Sequence, residues 1–228
     1  MQLAIDTSTD TASLALVQDS EILAELSWRC GQNHTTTLLP YLTSLLSQTG
    51  LKLGSVTGII VARGPGSYNG LRVGISTAKG LALSLGIPIV GVSTLAVAAY
   101  QHAETDLPVC PLFNAGRGEI AAAVYKMKGG RWQPIINEHI TTIETLCARI
   151  EIKTIFCGEL RAALYDQVKE QLGKKAVVAP PAARLRRAGF LAELGNRRLK
   201  AGDLDSPASL SPIYLRRPHI TKPRRGKK

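Results

Sequence analysis

Three short stretches carry residue types suited to holding an anion. The first is Ile5-Asp6-Thr7-Ser8-Thr9, an apolar run that ends in one acid and three hydroxyls. A strand that turns here offers backbone N–H groups and hydroxyls to a phosphate, and Asp6 can hold a metal ion through water. Asp-Thr-Ser-Thr is equally an ordinary turn composition. Asp6, Thr7, Ser8 and Thr9 therefore form a candidate, vestigial phosphate site.

The second stretch, Gly64-Pro65-Gly66-Ser67-Tyr68-Asn69-Gly70-Leu71-Arg72-Val73-Gly74, joins a buried strand to a helix start. Free N–H groups and the helix dipole favour an anion at such a place. The Gly-Lys-Ser/Thr ending of a P-loop is missing, and the third glycine of a dinucleotide fingerprint falls on Asn69. The plainer reading is a tight turn whose glycines let the helix approach a neighbour. The helix alternates small residues (Gly70, Gly74, Ser76, Ala78, Gly80) with Leu71, Val73, Ile75, Leu81, Leu83 and Leu85. Apolar groups on more than one side must be covered on more than one side. An interface role ranks above phosphate binding here.

The third stretch, Asn114-Ala115-Gly116-Arg117-Gly118-Glu119, opens the second half of the chain at the place equivalent to the Asp6 turn. Asn114 cannot act as a base and binds Mg²⁺ poorly, so a second phosphate jaw is lost. The four histidines, His34, His102, His139 and His219, make no i, i+3 or i+4 pair, so no helical two-histidine metal site is expected. No Gly-x-Ser-x-Gly elbow occurs, and no cysteine has a convincing histidine partner. Neither catalytic nor metal-ligating residues are assigned.

The elements that must position these stretches follow from pattern. Residues 3–7, 11–17 and 21–28 read as three strands with short links, an antiparallel meander. A helix follows over about 35–49, with Leu38, Leu39, Leu42, Leu45 and Leu46 at helical spacing, Pro40 in its first turns and Gly50 at its end. Gly58–Ala62 and Ile87–Val92 read as buried parallel strands that alternate with helices over 68–85 and 94–102. The second half is a looser echo: strands over 109–114, 119–128 and 132–140, a helix at 143–149, and a strand at 154–157. A helix over 159–172, a strand at 176–178 and a helix over 182–200 complete it. The expected fold is α/β, with two small lobes, 1–104 and 105–216, each a mixed sheet with flanking helices.

The formal net charge is +11. Residues 1–183 hold 15 Lys/Arg against 14 Asp/Glu, and residues 184–228 hold 13 against 3. Segment 217–228 reads as a disordered basic tail attracted to polyanions, or as a plain solubiliser. No run of about 18 apolar residues suggests a membrane span. The N-terminus lacks a signal peptide's pattern, and four scattered cysteines fit reduced thiols in a cytoplasm.

Taken in order, these blocks resemble the bacterial TsaB (YeaZ) family. The glycine stretch is similar to its signature, with Tyr68-Asn69 where Phe-Thr is more usual. His34 with Leu38-Leu39-Pro40, the Asn114–Glu119 block and the closing Pro212-Ile213-Tyr214-Leu215-Arg216 resemble further family motifs, and the match spans about residues 2–216. Asn114 and Gly116 depart from the usual Asp-Ala-Arg-x-Gly-Glu. The resemblance implies an actin-like ATPase/sugar-kinase scaffold and a non-catalytic subunit in the making of threonylcarbamoyladenosine beside the anticodon of ANN-reading tRNAs. It implies a TsaD-type catalytic partner and a TsaE-type ATPase, which would bring the metal and ATP, so no cofactor is expected on this chain alone. Transfer RNA is expected through the complex and the basic tail, and a homodimer when the chain is alone. The family's dimer contact falls on the first two helices. Leu38, Leu42, Leu45, Gly64, Pro65, Gly66, Ser67, Tyr68, Asn69, Gly70, Leu71, Arg72, Gly74, Ile75 and Ala78 are thus the expected partner contacts. The alternatives are an autonomous nucleotide-binding ATPase or phosphotransferase of the actin-like class, and a basic tRNA-binding module.

Overall fold

The computed structural model of the chain describes residues 1–216. The basic segment 217–228, and with it the expected disorder, lies outside the described residues. No helix among those residues is long and apolar enough to cross a membrane.

Strands β1 (Gln2–Asp6), β2 (Thr11–Gln18) and β3 (Glu21–Arg29) form the expected meander. Helix α1 (His34–Thr49) follows and ends on Gly50, whose left-handed backbone (φ 68°) closes the last turn. Pro40 sits in the second turn, so the Thr36 carbonyl loses its helical donor. Strand β4 (Gly58–Ala62) pairs parallel to β1, and β5 (Ile89–Val92) parallel to β4, with α2 (Tyr68–Leu85) crossing between them. Helix α3 (Thr94–Tyr100) ends the first half.

The second half repeats the plan. It comprises β6 (Val109–Gly116), β7 (Glu119–Lys128), β8 (Arg131–Thr141), α4 (Ile143–Cys147), β9 (Thr154–Cys157), α5 (Ala162–Leu172), β10 (Ala176–Val178) and α6 (Ala188–Lys200). The two sheets run β3-β2-β1-β4-β5 and β8-β7-β6-β9-β10, the same order and the same mixture of directions. A duplication expected from pattern alone is thus present in topology.

Each sheet is covered on both faces. In the first half α1 and α2 bury Leu38, Leu42, Leu45, Ile75, Ala78 and Ala82 against Leu3, Ile5, Leu14, Leu16 and Ile59. The opposite face of that sheet, Ala4, Ala15, Ile60 and Val90, is covered by Ala188, Leu191 and Ala192 of α6. Conversely, Leu95, Ala98 and Ala99 of α3 cover Val109, Phe113, Ala121 and Ala123 of the second sheet. Each sheet therefore borrows one helix from the other half of the chain. This corrects the expected division: residue 104 separates the two sheets, but 105–216 is not a lobe by itself. Helix α6 also starts at Ala188, because Pro181–Arg184 forms a separate 3₁₀ turn, and α5 starts at Ala162, leaving Glu159 in the preceding loop.

After α6 the chain returns along the first half. Asp205 N–H donates to the Ile89 carbonyl, Leu210 is buried in the first core, and Ile213 N–H donates to the Arg63 carbonyl at 2.6 Å. Leu215 packs against the second core, and Arg216 pairs with Glu119. This closing segment straps the two halves together.

Candidate functional site

In the turn after β1, Asp6, Thr7 and Ser8 are fully buried. A carboxylate in such a place needs compensating charge or hydrogen bonds. Asp6 Oδ1 accepts from the Ser8 backbone N–H at 2.8 Å and the Ser8 hydroxyl at 2.5 Å, and Oδ2 accepts from Arg186 Nε at 2.9 Å. Arg186, in the loop before α6, is itself buried. Its other nitrogens donate to Glu159 Oε1 and, at 3.0 Å, to Thr9 Oγ1, and its guanidinium lies 5.2 Å from the centre of the Phe113 ring. The Thr9 hydroxyl in turn donates to Glu159 Oε2 at 2.6 Å. Burial pushes the Asp6 pKa up, but the Arg186 charge and the bonds from Arg186 and Ser8 outweigh it and hold the carboxyl below the usual range. Burial works against the Arg186 charge in the same way, and Asp6 and Glu159 overcome it, raising its pKa. The turn expected to meet a phosphate is filled from within the chain by one guanidinium between two carboxylates.

The glycine stretch lies on the other side of the same turn. Ser67 N–H donates to the Ser8 carbonyl at 2.7 Å, and the Thr7 hydroxyl donates to the Gly70 carbonyl at 2.7 Å. A Cβ at Gly66 would stand 2.0 Å from the Ser8 carbonyl oxygen, one at Gly70 2.1 Å from that of Thr7, and one at Gly74 2.2 Å from the Thr7 hydroxyl. The three glycines admit α2 onto the turn, which is the plainer of the readings given above. His34, buried at the start of α1, lies 2.7 Å from the Thr9 carbonyl through Nε2 and clamps the turn from a third side. The two motifs read separately in sequence are one packed unit.

The expected contact residues divide by depth. Leu38, Leu42, Leu45, Gly64, Pro65, Gly70, Leu71, Gly74, Ile75 and Ala78 are buried inside their own half, whereas Gly66, Tyr68, Asn69 and Arg72 are exposed and Ser67 is half-buried, its hydroxyl accepting from Gly70 N–H as the helix cap. The outward surface of the helix pair instead presents Leu39 (51% exposed), Tyr41 and Leu83 (68%), none of which was singled out from sequence as a contact. Between α1 and α2 runs a groove of about 430 Å³ lined by Leu39, Leu42, Thr43, Leu46, Leu51 and Leu81 among others. Helix α1 carries no Asp, Glu, Lys or Arg, and α2 only Arg72 and Lys79. Two helices this poor in charge present a largely uncharged outward face, in which Leu39, Tyr41 and Leu83 stand among Thr36, Thr43, Ser44, Ser47, Gln48 and Ser76, and their own sheet covers them on one side only.

Asn114 is exposed, and its amide oxygen accepts from Gly116 N–H at 2.9 Å within its own turn. No group of three or more His, Cys, Asp or Glu among the described residues is placed to hold a metal ion. All four cysteines are free and buried. Sequence reasoning missed Arg186 and Glu159. The available signal was Asp6 itself, a buried acid that demands a cation, and the run Arg184-Leu185-Arg186-Arg187 before a helix.

Two halves of identical sheet order, each with helices on both faces, define the actin-like ATPase/sugar-kinase class of fold. The ROK hexokinase of Thermus thermophilus shares this fold, with a TM-score of 0.51 at 11% identity over 88% of this chain and 99% of that one. More narrowly, a family model described as "TsaD: tRNA N6-adenosine threonylcarbamoyltransferase" matches residues 28–223. The chain is similar to the tRNA threonylcarbamoyladenosine biosynthesis protein TsaB of Bacillus subtilis, 32% identical over 217 residues, 94% of this chain and 93% of that one. It is also similar to the solved structure of YeaZ from Pseudomonas aeruginosa, with a TM-score of 0.76 and 25% identity over 93% of this chain and 99% of that one. The chain belongs to the TsaB (YeaZ) family.

Proposed function

We propose that this chain is a non-catalytic subunit, a pseudoenzyme, in the cytoplasmic machinery that makes threonylcarbamoyladenosine in ANN-reading tRNAs. The observation that carries the reading is the guanidinium of Arg186 seated on Asp6, the buried carboxylate at the head of the turn. A phosphate or metal at that turn would have to displace a buried cation held by two carboxylates, and removing one partner of such a set costs about 3–5 kcal/mol. Chemistry then belongs to a TsaD-type partner and a TsaE-type ATPase, which bring the metal and ATP.

The contribution of this chain is its surface. The nearly uncharged α1–α2 face with its groove suits a partner that offers an apolar helix face of its own. In the partner's absence the same face pairs with a second copy.

The test is co-elution of the purified chain with a TsaD-type subunit on a sizing column, followed by reconstituted tRNA modification. Stable co-elution and a modification rate that depends on the chain are expected. Tight, submillimolar binding of ATP–Mg²⁺ by the isolated chain, or modification by this chain without the partner, overturns the reading.

A further inference from the structure

A cavity of about 430 Å³ opens between the β2–β3 hairpin and α6. It lies on the face of the first sheet opposite to α1 and α2. Val17 and Ile22 line it from the hairpin, and Gly189, Glu193, Asn196 and Lys200 from the helix. Small-molecule sites run from about 300 to 1,000 Å³ and combine apolar surface with a few placed polar groups. The apolar surface here is Val17, which is buried, and Ile22, which is half exposed. A Cβ at Gly189 would stand 2.6 Å from Ile22 Cδ1, so glycine lets the hairpin and the helix come this close.

The polar groups stand in a row. Glu193, Asn196 and Lys200 follow one another at i, i+3 and i+7 and so share one face of α6. The Glu193 carboxylate is held through one oxygen only. Oε1 accepts from the Tyr100 hydroxyl and, at 3.0 Å, from Arg197 Nη2. Among the described residues nothing donates to Oε2, and the Asn196 amide and the Lys200 ammonium have no hydrogen-bond or ion-pair partner. Seven residues of helix separate Glu193 from Lys200, about 10 Å along the axis.

An acceptor, then an amide that both donates and accepts, then a cation, all beside an aliphatic patch, have one simple complement. It is an ammonium, a peptide group and a carboxylate in the same order, carrying an apolar side chain. Length decides between candidates of that chemistry. A free amino acid is too short to reach both charges, whereas two or three extended residues span about 7–10 Å.

We propose that this cavity binds a short aliphatic peptide of two or three residues. Its amino terminus lies on Glu193 Oε2, a peptide group on the Asn196 amide, its carboxylate on Lys200, and its side chains against Val17 and Ile22. The site is independent of the α1–α2 groove, which lies across the sheet.

The experiment is titration calorimetry on the full-length chain with valyl-valine and trivaline as probes. Saturable binding of at least one is expected. Free valine, N-acetylated valyl-valine and valyl-valine amide should each bind at least roughly ten-fold more weakly, since each loses a charge-assisted contact. Lys200→Met, a change at an exposed side chain, should fold as the parent does and lose the same factor towards the intact peptide. It should also no longer distinguish valyl-valine from its amide. Glu193→Gln should likewise cease to distinguish valyl-valine from its acetylated form. No saturable heat with either probe overturns the proposal. So does binding that Lys200→Met leaves unchanged, or free valine that binds as tightly as the peptides. Capped peptides that bind as well as free ones also overturn it, because the cavity would then take a segment within a longer chain.

Discussion

Arg186 and Asp6 are 180 residues apart in the chain and meet at 2.9 Å, both fully buried. Asp6 belongs to the first strand, Arg186 to the loop before the last helix, and Glu159 on the far side of the guanidinium to the second half. One cation therefore joins both sheets and the crossing helix.

Replacing Arg186 with Met leaves Asp6 and Glu159 without their cation. A loss of about 3–5 kcal/mol is expected, read from the urea midpoint. Adding Asp6→Asn and Glu159→Gln to Arg186→Met should recover part of it, because no buried charge then stands alone. A single Arg186→Met chain as stable as the parent would show that the cluster is solvated.

Acid should loosen the same cluster. The Asp6 carboxyl titrates lower in the folded chain than in the unfolded one, whose value is about 3.9. The folded state thus binds fewer protons, and the contribution of Asp6 is complete above that unfolded value. It is lost as pH falls through the depressed folded value. Urea midpoints taken from pH 6 down to pH 2.5 should drop below about pH 4, and less steeply in Asp6→Asn.

Two alanine substitutions in one helix should act in opposite directions. Gly70→Ala forces a Cβ to within 2.1 Å of the Thr7 carbonyl oxygen and should destabilise by about 1–3 kcal/mol or more. Gly80→Ala meets nothing within 4 Å and should stabilise by about 0.5–1 kcal/mol through helix propensity. Thermal melts of the two variants measure both.

Leu39 lines the groove and is half exposed, so Leu39→Glu should change stability by no more than about 0.5 kcal/mol. Co-elution with the TsaD-type subunit should be lost. Retained co-elution would place the contact elsewhere.

Local pattern made the elements legible: alternation in Thr11–Gln18, the leucine spacing of α1, and the glycine turn that leads into α2. Depth was harder to read. Leu38, Leu42 and Leu45 have the composition of a contact face but serve the internal core, because the i, i+4, i+7 stripe faces the chain's own sheet, and the large apolar residues left outward are the sparser Leu39 and Leu83. Long-range relations left no local trace. A buried Asp6 calls for a cation but does not say which arginine supplies it, and nothing in the α6 sequence says which of two similar sheets its apolar stripe covers.

The exchange of α3 and α6 between the halves has a consequence for synthesis. As the ribosome extends the chain, the first sheet is complete once residue 92 has emerged, but the helix that covers its inner face spans Ala188–Lys200. Ala4, Ala15, Ile60 and Val90 must wait, apolar and open to water, until nearly the whole chain has left the exit tunnel. Until α6 is made, the nascent first half carries an uncovered apolar sheet face.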